Sequence, residues 1–122
     1  MPRIAKIPGM EDFQDKDPLE KAIQIQVEDK LRVMDWFVQR LHGSMYQSGV
    51  PDIYAHHIRY GGRWIEIKKP TGYKFTAAQY EKFPRMASHG VSIHICTSVE
   101  QIPALLFQPA NWYMYLPLMG LR

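Results

Sequence analysis

The sequence predicts a single α/β domain with one mixed central sheet flanked by helices, and three observations carry that expectation. Apolar residues recur every three or four positions from Leu19 to Met34, the spacing of an amphipathic helix. Two segments, 53–59 and 63–68, flank Tyr60-Gly61-Gly62, a hairpin signal. A second helical stretch opening at Thr76 then precedes the apolar run Val91 to Thr97, a buried strand, so helices and strands alternate.

Composition bounds the rest. A chain of 122 residues supports one domain and can bury a core without disulfides or a structural metal. Its 46% hydrophobic and 22% charged residues are ordinary for a globular protein. No apolar run approaches the roughly 18 residues of a membrane span, so no membrane association is expected. Met1-Pro2-Arg3-Ile4-Ala5-Lys6 is followed by no apolar secretory segment, and the lone Cys96 suits a buried thiol in a reducing compartment. The expected location is cytoplasmic. A net charge of +3 is compatible with a polyanionic partner, and Arg59, Arg63, Lys68, Lys69, Lys74, Lys82 and Arg85 concentrate basic charge in the centre of the chain, around the candidate site.

Taken in order, residues 1–16 read as a flexible lead-in. Asp17 is the expected N-cap of the first helix, with Pro18 at its first position and Glu20 completing a capping-box pattern. Leu19, Ile23, Val27, Leu31 and Met34 then form one stripe facing a sheet. Between Trp36 and Leu41 the aromatic and β-branched content favours a strand. Gly43 to Gly49 reads as a polar loop.

The hairpin register is testable by side-chain parity. A two-residue Gly-Gly loop sets Asp52 on the opposite face from Glu66 and Lys68. A three-residue loop or a bulge, pairing Glu66 with His56 and Lys68 with Tyr54, sets all three on one face, and such an irregularity is expected. Pro70 to Lys74 form a turn. Thr76-x-x-Gln79 opens the second helix, whose Tyr80, Phe83 and Ala87 share a face and whose Pro84 is expected to kink it. Ser98 to Ile102 form a helical turn. Phe107, Trp112, Tyr113, Tyr115, Leu116 and Leu118 in the segment 103–122 are too apolar for solvent and are expected to close the core or cover a dimer partner.

The chemistry is carried by Gly49-Val50-Pro51-Asp52 and, fourteen residues after the aspartate, Glu66-Ile67-Lys68. Two carboxylates and an amine brought to one end of a small sheet suit Mg²⁺ or Mn²⁺, which keep one or two protein carboxylates and fill the rest of their shell with water. A neighbouring lysine can orient the attacking water and offset charge on a phosphate. Asp52 could instead be a turn former and Lys68 a solvated edge lysine, but Glu66 stands between Ile65 and Ile67, where a carboxylate is paired or coordinating. Lys69, Tyr73 and Lys74 are candidate contacts to a nucleic-acid backbone. His56 and His57 fall on opposite strand faces, which argues against a joint zinc site with His89 and His94.

The order of these pieces resembles the VRR-NUC family of the PD-(D/E)XK nuclease superfamily. Five pieces carry the resemblance over residues 19–102: Glu20-Lys21-Ala22-Ile23-Gln24; Tyr46-Gln47-Ser48-Gly49-Val50-Pro51-Asp52-Ile53; Trp64-Ile65-Glu66-Ile67-Lys68; Phe75-Thr76-Ala77-Ala78-Gln79; and a strand ending in Thr97-Ser98-Val99-Glu100. It implies a restriction-endonuclease-like core over 17–102, with 103–122 as an aromatic extension outside it. It further implies a metal-dependent DNA endonuclease leaving a 5′-phosphate. Asp52 and Glu66 are then the metal ligands, with the Ile67 backbone carbonyl and Glu20 as further ones, Lys68 and Gln79 are catalytic, and Gln24 assists. The chain resembles the stand-alone, often phage-encoded type related to Holliday-junction resolvases, so branched or duplex DNA and a homodimer are the expected partners. A flap-specific or restriction-type nuclease, or a non-catalytic binding subunit retaining the fold, is the alternative.

Overall fold

The computed structural model describes residues 16–41 and 48–120, with side chains to Leu116 in the last helix. Residues 1–15 of the 1–16 lead-in, most of the polar loop, Tyr46 and Gln47 of the second motif piece, and the Leu118 side chain lie outside the described residues. Helix α1 (Pro18–Val33) leads into β1 (Phe37–Arg40), β2 (Ile53–His57) and β3 (Gly61–Ile67). Then come α2 (Ala77–Ser88), β4 (Ile93–Cys96), a 3-10 turn (Val99–Gln101), α3 (Ile102–Leu105) and α4 (Trp112–Gly120). The sheet order is β1-β2-β3-β4. β1/β2 and β2/β3 are antiparallel and β3/β4 is parallel, so the mixed sheet is as expected, with α2 as the crossover that a parallel pair requires.

The sheet buries both faces. Ile53, Ala55, Ile65, Ile67 and Cys96 pack with Ile23, Val27 and Leu31 of α1 and with Ile102, Leu105 and Leu106. Ile93 and Ile95 point the other way, into Phe75, Phe83 of α2 and Leu116 of α4. Alternation along β3 explains the division, since Ile65 and Ile67 face α1 while Trp64 and Glu66 face α2. One residue of the α1 stripe departs from expectation. Leu19 is 50% exposed, because it sits in the first turn before the helix reaches the sheet.

The hairpin register differs from the expected one, although its parity is the one the site needs. His57 pairs with Gly61, His56 with Gly62 and Tyr54 with Trp64, so neither the Glu66–His56 nor the Lys68–Tyr54 pairing occurs. The loop is three residues long, but it is Ile58-Arg59-Tyr60, because Gly61 takes the left-handed conformation (φ +80°) that ends such turns. Extending this register by one residue sets Asp52 opposite Glu66.

The aromatic tail closes the second core. Trp112, Tyr115 and Leu116 pack against the Phe75, Phe83, Ile93 and Ile95 cluster, whereas Phe107 and Tyr113, expected to be covered, are exposed, as is Met114. Asn111 anchors the start of α4 by accepting from the Ile95 amide at 2.6 Å and donating to its carbonyl at 3.1 Å. Leu116→Ala, at a position 3% exposed, is expected to cost about 3 kcal/mol in a denaturant titration. A loss within error of zero would mean that the tail is not part of the cooperative unit.

Candidate active site

Three local devices bring the chemistry to one end of β2 and β3. The turn before β2 carries Gly49 at φ +84°, and a Cβ there would lie 2.6 Å from the Ala78 carbonyl oxygen. Glycine is therefore required twice over, for the backbone conformation and for the close approach of this turn to the first turn of α2. Asp52 emerges from that turn and is tied to β3, its Oδ2 accepting from the Ile67 amide at 2.8 Å. β3 delivers Glu66 and Lys68 two residues apart on the same side of the chain. Thr76 caps α2 and, with Gln79, closes a full capping box.

Gln79 performs that structural task and faces the site at once. Its Oε1 accepts from the Thr76 amide at 3.0 Å and from Lys68 Nζ at 3.2 Å, and its Nε2 donates to Glu66 Oε2 at 2.9 Å. Lys68 Nζ also donates to the Lys74 carbonyl at 2.6 Å, lies 3.3 Å from Glu66 Oε2 and stands over the Phe75 ring at 4.4 Å. Glu66 is 2% exposed, and its Oε1 is buried without a hydrogen-bond partner among the described residues. Burial, reinforced by the charge of Asp52, pushes its carboxyl up to about 8 against the opposing pull of Lys68, Lys16 and Gln79.

The expected residues divide into those brought together and those held elsewhere. Asp52, Glu66, Lys68 and Gln79 converge. Glu20 sits at their edge, where its Oε2 accepts from the Lys69 amide at 2.9 Å. The expected capping role falls to Asp17 alone, whose Oδ1 takes the Leu19 and Glu20 amides. Gln24 turns away, donating at 3.0 Å to Glu28, which forms a buried ion pair with Arg40. Lys69 Nζ pairs with Asp17 at 3.1 Å, Tyr73 packs against Phe75 and Tyr115, and the Lys74 side chain is exposed.

The expected concentration of basic charge around the site is corrected by the fold. Arg63 lies on the α1 face, over the Trp36 ring and donating to the Leu106 carbonyl at 2.9 Å. Arg59 is at the hairpin tip, remote from Asp52 along β2. Arg85 pairs with Glu81 near the far end of α2 from Gln79. Residues adjacent in sequence alternate across a sheet and wind around a helix, so a run of charge along the chain is no patch in space. The histidines are also dispersed: His56 meets Tyr54, His57 accepts from the Arg59 amide, and His94 meets the Gln108 carbonyl.

One residue at the site has no signal in the sequence. Lys16 Nζ lies 2.8 Å from Asp52 Oδ1, both side chains being 17% exposed. It belongs to a stretch without periodicity, and only the fold brings it to a residue 36 positions away.

A divalent ion fits what is present. Asp52 Oδ1 already faces a cation, Glu66 Oε1 is a buried oxygen without a donor among the described residues, and both are hard oxygens of the kind Mg²⁺ selects. Among the described residues no three His, Cys, Asp or Glu side chains gather as a metal cage. The candidate ligands are therefore the two carboxylates of Asp52 and Glu66.

Fold and site together define an α/β domain with a carboxylate, lysine and glutamine cluster at one end of its central sheet. The fold is that of a VRR_NUC domain: a solved structure so described superposes with a TM-score of 0.63, 21% identical, covering 74% of this chain and 96% of that one. No family model matches the sequence, and comparison with curated proteins gives no match. No helix among the described residues is long and apolar enough to cross a membrane.

Proposed function

We propose that the chain is a nuclease of the VRR-NUC family, a Mg²⁺- or Mn²⁺-dependent deoxyribonuclease that hydrolyses phosphodiester bonds. The observation that carries this reading is the convergence of Asp52, Glu66, Lys68 and Gln79 on the fold of a VRR_NUC domain. Asp52 and Glu66 would hold the ion, with the Ile67 carbonyl and Glu20 as further candidate oxygens. The ion would supply Lewis-acid stabilisation of charge growing on the phosphate and a more acidic bound water. Lys68, fixed from three sides, presents its ammonium to a water or phosphate oxygen and keeps the Glu66 carboxylate in place. Gln79 orients both, since one amide group joins Lys68 to Glu66.

The exposed Lys74, with Lys69 and Tyr73, supports contact to the DNA backbone, which carries no base sequence and weakens with salt. Selectivity then rests on shape, and we place branched DNA, a four-way junction above all, as the substrate. A two-fold homodimer presents two sites to such a symmetric junction. A monomer by light scattering with junction DNA bound would remove the dimer from this account. The setting is the cytoplasm of a bacterial or phage-infected cell.

The deciding experiment is cleavage of labelled four-way junction, flap and linear duplex DNA with Mg²⁺ or Mn²⁺, beside an EDTA control. Lys68→Ala is expected to lower cleavage at least about 100-fold while leaving DNA affinity near the native value. Preferred cutting of flaps or linear duplex would replace the junction reading. No cutting by the native chain, with DNA binding unchanged by the substitution, would favour a non-catalytic binding subunit.

A further inference from the structure

Lys16 stands just ahead of the α1 N-cap, and its ammonium approaches Asp52 at Oδ1, the oxygen left over once Oδ2 has accepted the Ile67 amide. Burial works against its charge. Asp52 and then Glu66 outweigh that cost, with Glu20 adding to them, so its pKa is raised. Lys68 is held differently, by the Lys74 carbonyl, Gln79 and Glu66, and makes no contact with Asp52 among those the structure shows. The site therefore holds two ammonium groups with separate duties. Only one of them sits on the carboxylate oxygen that a metal would need.

We propose that the Lys16 ammonium occupies the divalent-cation position in the metal-free protein, and that metal entry expels it. This rests on the metal-dependent reading above. Two cations against one carboxylate oxygen repel strongly where water is partly excluded, so lysine and metal exclude one another. Without metal, Lys16 offsets the negative charge of Asp52. Its displacement sets the metal concentration at which the site loads.

The test needs no DNA and no activity. Titration calorimetry of Mn²⁺ into the full chain and into Lys16→Gln is expected to give a roughly five- to tenfold tighter Kd for the variant, the worth of one partly buried ion pair. Lys16→Arg is expected to keep the native affinity. In parallel, reductive methylation read by mass spectrometry should modify Lys16 slowly without metal and faster with Mg²⁺, while exposed Lys30 on α1 reacts at one rate throughout. Equal native and Lys16→Gln affinities, or a Lys16 rate that metal leaves unchanged, would overturn this inference alone. Absence of Mn²⁺ binding by both proteins would overturn it together with the metal-dependent reading.

Discussion

Glu66→Gln is expected to abolish tight metal binding and to lower phosphodiester cleavage by at least about 10³-fold, while leaving the metal-free protein as stable as the native chain or more so. The two halves have one cause. Glu66 is 2% exposed and one of its oxygens lacks a donor among the described residues, so the native fold places a carboxyl where its charge would be poorly solvated. A glutamine keeps the shape and removes the charge. The proton linkage gives this a pH signature. Burial, with the charge of Asp52, raises the folded-state pKa to about 8 from an ordinary value of 4.5, so between those values the folded protein binds a proton that the unfolded chain has released. This contribution to stability is fully present below about 4.5 and is lost as pH rises through about 8. The melting temperature of the metal-free protein, followed by circular dichroism, should therefore fall across that window more steeply than that of Glu66→Gln. Parallel curves for the two proteins would show that Glu66 is ionised throughout. Adding Mg²⁺ is expected to raise the native melting temperature most at the alkaline end, where the carboxylate is charged and ready to bind.

Gly49→Ala is expected to cost about 3 kcal/mol of stability and to depress cleavage beyond what the loss of folded protein explains. The added Cβ would meet the Ala78 carbonyl oxygen at 2.6 Å and its carbon at 2.8 Å, in a backbone conformation (φ +84°) that side chains disfavour. Those atoms belong to the first turn of α2, one residue before Gln79. Relief of the clash must separate the turn carrying Asp52 from the helix carrying Gln79. Gly61→Ala is the matched control, since its φ is +80° but no atom of the described residues lies within 4 Å of the added carbon. It should show backbone strain alone, about 1 kcal/mol, with unchanged turnover of the folded enzyme. Equal effects at the two glycines in urea titrations would mean that the turn and α2 move independently.

These expectations draw on what was legible in the chain to different degrees. The α1 stripe from Ile23 to Leu31 and the buried strand at Ile93 follow from periodicity, because core-facing positions repeat with the geometry of the element. The need for Asp52 and Glu66 to share a face followed from parity, and survives even though the turn lies at Ile58-Arg59-Tyr60. Parity depends only on whether the register is odd or even, whereas the pairing itself depends on which glycine adopts positive φ. Gln79 shows the limit of motif reading. As a capping residue it had a sufficient local explanation, and only the approach of α2 to the sheet gives its amide Lys68 and Glu66 as further partners.

By itself, the sequence determined the elements, the parity of the strands and the residue types able to carry metal chemistry, because these are encoded within a few positions of one another. Only the tertiary structure decided which charges meet. Lys16 reaches Asp52, Lys69 presents its amide to Glu20, and Arg63 is drawn to Trp36 on the far face. Each of these depends on how α1 and its flanking residues pack on the sheet, and a contact made across such packing leaves no periodicity in the chain.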